Sequence, residues 1–235
     1  MKFAVDLNTR PTMLVLTVST TQPIKLAFIG YDASKKNTYY FARELTINGK
    51  KTIQFPMPQA PGVLTIDVMN RYNDYGNVIN ILDAKALPLP SKMVAFPKGM
   101  DSYVKFAQSF AEKAGHINAG FYVSKDENHI IWMKPVIEDG SPAKVNRRTG
   151  LVKVDINKFK KYTVPMRMFV LLHEFWHFWG KTKNEFEADR GALNMYMQLQ
   201  YPKSEGNYAM TKVFTDTPMA RRRAEQMHKI FKNSK

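Results

Sequence analysis

The segment Val164–Trp179 constrains this chain more than any other, because it is apolar on almost every side and yet contains charged and polar groups. It has no interior glycine, and its single proline, Pro165, stands near the start, where a helix tolerates proline. Gly180 follows as a stop signal. The sequence therefore predicts a buried helix. Two histidines and a glutamate inside such a helix require polar partners.

These polar residues form the pattern His173-Glu174-Phe175-Trp176-His177, an H-E-x-x-H. Residues four apart on a helix lie one above the other, so the two imidazoles point to one place, as a tetrahedral zinc ion requires. Glu174 lies one residue further round, where it can take a proton from a metal-bound water and pass it to a leaving amine. With five histidines in 235 residues, a chance match is expected in roughly one chain in a few hundred.

A second helical pattern follows after a short turn and covers residues 184–199. The short turn predicts an antiparallel hairpin of two helices. In such a hairpin Glu185 lies near His177, and Asp189, one turn later, lies level with His173. This geometry predicts Glu185 as the third zinc ligand and Asp189 as the acceptor that fixes the ring of His173.

Glu187 is the alternative third ligand. Its position three residues after Asn184 indicates a capping box, with Asn184 as the N-cap and Glu187 as the third helical residue. We therefore predict a structural role for Glu187 and keep it as the reserve ligand.

The pattern H-E-F-W-H followed by E-F-E-A-D resembles the zincin metallopeptidases, in particular the gluzincin branch, whose third ligand is the first Glu of an E-x-x-x-D. The resemblance implies a zinc-dependent peptidase. Its Zn²⁺ ligands would be His173, His177 and Glu185. Its catalytic base and acid would be Glu174, and Asp189 would support the ligands from outside.

The chain departs from the resemblance in two respects. The gap between the two motifs is much shorter than in thermolysin-like enzymes, so a substrate-binding insertion is missing. H-E-x-x-H-x-x-G also resembles the start of a metzincin motif, but Lys183 stands where that family has its third His or Asp. A lysine cannot replace that ligand, which favours the gluzincin interpretation.

The amino-acid composition limits the kinds of metal site that this chain can contain and indicates where the protein is located. The chain has no cysteine, so disulfides and thiolate zinc sites are excluded. Its N-terminus lacks the apolar run of a signal peptide, and no stretch reaches about 18 uncharged apolar residues. We therefore expect a cytoplasmic protein with no membrane partner.

The formal charge of +15 favours nucleic acid or another anionic partner. The basic residues are spread along the chain, apart from three consecutive arginines at 221–223. A lysine-rich solvated surface is the simpler interpretation, so a nucleic-acid partner is indicated by charge alone.

The first part of the chain predicts β-structure. Its runs of β-branched and aromatic residues are short and separated by Pro, Gly, Asn and Ser, and their regular spacing indicates an antiparallel β-sandwich. Asn48-Gly49 predicts a two-residue hairpin. No catalytic constellation occurs in this part, so we expect it to dock a protein partner in an assembly. The runs are 3–7, 13–18, 25–29, 39–41, 51–55 and 63–68.

A proline-rich segment at 87–92 predicts a linker between a β-rich domain, 1–86, and a second domain, 93–235. In the second domain, residues 101–114 have a helical pattern with Asp101 as N-cap. Strand-like runs follow at 121–123, 130–133 and 151–155, and a basic helix is expected at 217–235.

A helix, a small sheet and an H-E-x-x-H helix occur in the order of a minimal zincin-like domain, so by resemblance the predicted fold class is α+β. In that family the edge strand of the sheet pairs with an extended substrate. Residues 130–136 or 151–155 are the candidates for this strand here.

Two functions stay open. The first is a zinc-dependent hydrolase that cleaves peptide or protein substrates, with an oxyanion stabiliser such as Tyr196 or Tyr208. The second is a structural or assembly protein with a zinc-stabilised or inactive zincin-like domain. Residues 165–202 resemble small zincin-like proteins encoded among tailed-bacteriophage virion genes, which would place the chain in a virion. Glu174 favours chemistry, because a purely structural site needs no general base.

Overall fold

The computed structural model describes residues 1–70, 79–90, 99–125, 128–136, 140–213 and 218–233. The chain divides into two units, Met1–Ser91 and Lys92–Lys235. Unit 1 consists of strands, and unit 2 contains a small sheet and helices, so the predicted α+β class is confirmed. Among the described residues, no helix is both long and apolar enough to cross a membrane.

Unit 1 is an antiparallel sheet in which the long strand β2 is central. The first half of β2 lies between β3 and β5, and its second half lies between β3 and β4, which in turn pairs with β1. Every second residue in the first half of β2 is buried, which is the period of a strand with one face on a core. The strands are β1 (Lys2–Asp6), β2 (Thr12–Tyr31), β3 (Tyr39–Met57), β4 (Val63–Asn70) and β5 (Ile79–Pro88).

The hairpin predicted at Asn48-Gly49 is wrong. Both residues lie inside β3, where Gly49 has a φ of 64° and stands opposite Thr20. The register shifts between Thr20 and Ile24, and β2 and β3 then continue to pair. An Asn-Gly pair makes a hairpin only when its two flanks pair with each other. Here the residues on both sides of Asn48-Gly49 pair with β2. The positive φ of Gly49 therefore belongs to an irregularity within a long ladder of backbone hydrogen bonds and not to a hairpin turn.

The linker predicted at 87–92 overlaps β5, which continues to Pro88. Met13 pairs with Leu87 and Thr12 with Pro88. A proline is tolerated at the end of an edge strand, because its missing N–H is not needed there. Residues 91 and 92 lie outside the described part of the chain.

The sheet of unit 2 has the order β6-β7-β9-β8. Three of its strands, β6, β7 and β9, confirm the runs predicted from the sequence. The sequence does not predict β8, because three residues are too few to show a period. Strands β7 and β9 are interior, so the prediction that 130–136 or 151–155 is the edge strand that pairs with a substrate is wrong. Among the described strands the edges of this sheet are β6 and β8, and β8 is the one that contacts the H-E-x-x-H helix. The strands are β6 (Gly120–Val123), β7 (Ile130–Lys134), β8 (Ala143–Val145) and β9 (Val152–Asp155).

Helix α3 (Val164–Trp179) carries the H-E-x-x-H pattern, has the predicted bounds and packs against α1, α4 and α5. Thr163 caps it by accepting a hydrogen bond from the Met166 N–H. The predicted N-cap of α1, Asp101, is wrong, because Gly99 precedes this helix with a φ of 84°. The helices are α1 (Met100–Lys113), α2 (Ile156–Phe159), α3 (Val164–Trp179), α4 (Glu185–Gln198), α5 (Lys203–Val213) and α6 (Pro218–Asn233).

Packing fixes α3 between α1 and α4. From α1, the Tyr103 ring stacks on Phe175 with 3.8 Å between centroids, and its hydroxyl donates to the Leu171 carbonyl at 2.9 Å. From α4, Gly191 lies directly under the ring of Trp176. The helix that carries the polar pattern is therefore held rigidly on two sides.

We expect Gly191→Ala to destabilise the protein. In an exposed helix interior this change stabilises by about 1 kcal/mol, but here the new Cβ would lie 2.1 Å from the Trp176 ring. Overpacking of this kind costs about 1–3 kcal/mol in the free energy of unfolding. Urea denaturation measures it, with Asn194→Ala at an exposed position of α4 as control. A Gly191→Ala protein as stable as wild type would contradict this packing.

Candidate metal centre

Three side chains from α3 and α4 meet at one point. His173 and His177 lie on successive turns of α3, and Glu185 lies in the first turn of α4 because the connection 180–184 is short. The Nε2 atoms of the two histidines are 3.1 Å apart. Glu185 places Oε2 3.4 Å from Nε2 of His173 and Oε1 3.4 Å from Nε2 of His177.

These distances suit a tetrahedral metal ion. With bonds of about 2.0–2.1 Å, a zinc ion separates its ligand atoms by roughly 3.4 Å. One donor atom from each of the three residues lies within 4.8 Å of the other two. Two imidazole nitrogens and a carboxylate are a donor set that zinc accepts, so the residues fit a metal site.

The outer partners of the two rings fix their orientation. Nδ1 of His177 lies 3.0 Å from the carbonyl oxygen of Thr182, which can only accept, so this nitrogen carries the proton. Nδ1 of His173 lies 2.9 Å from Oδ1 of Asp189. Both Nε2 atoms are thereby directed at the shared point, which is the usual role of outer partners in metal sites.

Nearby charges shift the pKa of His173. Burial lowers the pKa of His173, but the carboxylates of Asp189 and Glu185 outweigh it and raise this pKa to about 9. His173 and His177 in turn hold the pKa of Glu185 well below its usual range. Without a metal, His173 is protonated at neutral pH and its Nε2–H faces Nε2 of His177. A metal ion would take the place of that proton.

Glu174 lies beside these donors in a cleft of about 540 Å³. Its Oε2 accepts a hydrogen bond of 2.8 Å from the N–H of Val145 on β8. Burial raises the pKa of the Glu174 carboxyl above its usual range, although His173 and the Val145 amide act in the opposite direction. The cleft thus presents a carboxylate with a raised proton affinity next to a candidate metal site.

Arg223 is the residue of this site that the sequence did not reveal. It belongs to the three arginines at 221–223, and in contrast to the solvated surface predicted for the basic residues it is buried and lines the cleft. Its guanidinium contacts Asp189 and Glu185. A run of like charges in a strongly basic chain contains no signal that one member is buried.

The two tyrosines suggested as oxyanion stabilisers lie elsewhere. Tyr196 is buried and donates to the Pro202 carbonyl at 3.2 Å. Tyr208 is exposed on α5. Among the described residues that line the cleft, neither tyrosine occurs.

Glu187, the reserve ligand, faces away from the donor set. Asn184 is the N-cap of α4, as predicted, and accepts from the Phe186 N–H at 2.9 Å. The other half of the capping box differs from the prediction, because Glu187 accepts from the Thr182 hydroxyl instead. That hydroxyl in turn accepts from the Asn184 N–H at 3.0 Å.

Comparisons with known proteins identify no family for this chain. No protein-family model, no curated protein and no solved structure matches the chain. The likeness to zincins therefore consists of the motif residues and their arrangement alone, and the identity of the metal stays a prediction.

We expect Glu185→Ala to lose the metal and Glu187→Ala to keep it. The first change removes one of the three donors at the shared point, whereas the second removes a contact to Thr182 in the helix cap. Metal content per chain, measured by mass spectrometry on protein purified without chelator, distinguishes them. Loss of metal in Glu187→Ala with retention in Glu185→Ala would show that the ligand assignment is wrong.

Proposed function

We propose that unit 2 is a zinc-dependent peptidase in which Glu174 is the general base and acid. The observation that carries this proposal is the pair of features in one cleft: the donor set of His173, His177 and Glu185, and a buried carboxylate beside it. A structural zinc site needs four closed ligands, whereas a catalytic one has three protein ligands and an open position.

The donor set and the base have separate tasks. His173, His177 and Glu185 would hold the ion, which when bound polarises a substrate carbonyl and lowers the pKa of a coordinated water. Glu174 would take a proton from the attacking water on Oε1 or Oε2 and pass it to the leaving amine. The Val145 N–H orients this carboxylate toward the cleft.

The edge of the small sheet supports a peptide as the substrate. Strand β8 pairs with β9 on one side, and in the described part of the chain no strand pairs with its other side. Ala143, Lys144 and Val145 of β8 line the cleft next to Glu174. An extended peptide can add to such an edge through main-chain hydrogen bonds, which places a peptide bond near the base.

The charged lining of the cleft favours acidic peptides. Lys144, Arg147 and Lys183 are exposed and line it together with the buried Arg223. Among the described residues that line the cleft, the two carboxylates, Glu174 and Glu185, are those assigned to the base and the metal. Cationic walls raise the local concentration of anionic ligands, so we propose Asp or Glu next to the cleaved bond.

A structural or assembly role is the second candidate. The connection between α3 and α4 spans only 180–184, so no inserted segment covers the cleft from that side. In this reading the metal stabilises unit 2 without chemistry, and unit 1 docks the chain into a larger assembly. Metal binding without hydrolysis would favour it.

We expect Glu174→Gln to keep the metal and to lower the rate of peptide hydrolysis by about 10²–10⁴-fold, the usual contribution of a general acid or base. Glu187→Gln, which changes a carboxylate outside the cleft, is the matched control. Cleavage of a mixed peptide library, followed by mass spectrometry, measures the rate and the residues around the cut. Metal content is determined on the same samples.

Three outcomes separate the candidates. Cleavage near acidic residues by wild type and Glu187→Gln, lost in Glu174→Gln, would establish the peptidase. Undiminished cleavage by Glu174→Gln would exclude the proposed base. A wild-type protein that binds metal and cleaves nothing in the library would support the assembly role.

A further inference from the structure

The guanidinium of Arg223 connects the C-terminal helix α6 to two carboxylates of α4. Its Nε lies 2.7 Å from Oδ2 of Asp189, and its Nη2 lies 2.8 Å from Oδ1 of the same carboxylate. Its Nη1 lies 3.0 Å from Oε2 of Glu185. Arg223 and Asp189 are both buried. One planar group therefore contacts both acidic residues of the E-x-x-x-D pattern.

The geometry of these contacts leaves the carboxylates little freedom. Two parallel N–H···O bonds fix the plane of the Asp189 carboxylate as well as its distance, which a single ammonium group cannot do. Glu185 and Asp189 are four residues apart, so they lie on the same face of α4 one turn from each other. The third N–H then reaches Glu185 from the same guanidinium.

Both carboxylates are connected to the donor set. Oδ1 of Asp189 lies 2.9 Å from Nδ1 of His173, and this contact directs Nε2 of that ring at the shared point. Oε2 of Glu185 lies 3.4 Å from the same Nε2. A displacement of Arg223 would thus disturb two of the three donor residues.

We propose that Arg223 is a positioning residue of the metal centre and that α6 is for this reason part of the centre. Arg223 fixes Glu185 directly and His173 through Asp189, so the donors are oriented before the ion arrives. This inference deepens the proposed function and depends on the metal site that the function requires.

Whether removal of Arg223 weakens or tightens metal binding distinguishes a positioning role from a purely electrostatic one. A cation beside a metal ligand repels a second cation, so if Arg223 acted only through its charge, its removal would tighten metal binding. If it positions the ligands, its removal weakens binding.

The experiment measures the dissociation constant for Zn²⁺ by competition with a chelator, on full-length protein. The variants are Arg223→Gln, Arg223→Lys and, as matched control, Arg222→Gln at the exposed neighbouring position. We expect Arg223→Gln to weaken binding about 10–100-fold, the usual effect of an outer partner. The Zn²⁺ affinity of Arg223→Lys should lie between those of Arg223→Gln and wild type, because lysine keeps the charge but cannot form the two parallel hydrogen bonds. Arg222→Gln should bind Zn²⁺ as tightly as wild type.

A spectroscopic readout tests ligand geometry apart from activity. Co²⁺ in a tetrahedral site gives strong visible absorption bands, and we expect these bands to shift or weaken in both Arg223 variants. Circular dichroism of the metal-free proteins checks their folding. Should Arg223→Gln fail to fold, Arg223→Lys decides: wild-type affinity and an unchanged Co²⁺ spectrum in that variant would overturn the proposal.

A double-mutant cycle tests the route through Asp189. If Arg223 acts on His173 through Asp189, combining Arg223→Gln with Asp189→Asn should weaken Zn²⁺ binding by less than the two separate effects together. Tighter binding in Arg223→Gln would contradict positioning while leaving the metal site intact, and full additivity would overturn the route from Arg223 to His173 through Asp189. A wild-type protein that binds no metal would instead remove the proposed function, and this inference with it.

Discussion

The arrangement of unit 2 depends on the burial of two imidazoles and a carboxylate in α3, whose other buried side chains are apolar apart from Arg167. Polar groups without partners are costly in a core, and here each finds one from a different neighbour. The connection after α3 contributes the Thr182 carbonyl, α4 contributes Asp189, and β8 contributes the Val145 N–H. The elements around α3 are therefore located by polar contacts as well as by apolar packing.

The parts of this centre that are close in sequence could be predicted from sequence. The helical period places His173 and His177 on one face, and a short connection brings Glu185 and Asp189 beside them. Those arguments need only local geometry. The contact from Val145 spans 29 residues and that from Arg223 spans 34. Their positions follow from how distant elements pack, which no period or spacing encodes.

The same limit explains the errors in the sheets. Asn48-Gly49 is a strong local signal for a turn, but the pairing of β3 with the whole length of β2 overrides it. Strand β8 is three residues long and is defined by its partner β9 and by its contact with α3. In both cases the state of a short segment is decided by a distant one, as is common for β-structure.

Charge balance links Glu174, the proposed base, with the candidate donors and Arg223. With a divalent ion bound and both histidines neutral, Glu185 and Asp189 would carry two negative charges, and Arg223 and the ion together three positive charges, which leaves one positive charge. An ionised Glu174 would bring this sum to zero. Buried charges are tolerated when they compensate one another. Occupation of the donor set would therefore favour the ionised form of Glu174, which is the form that a general base requires.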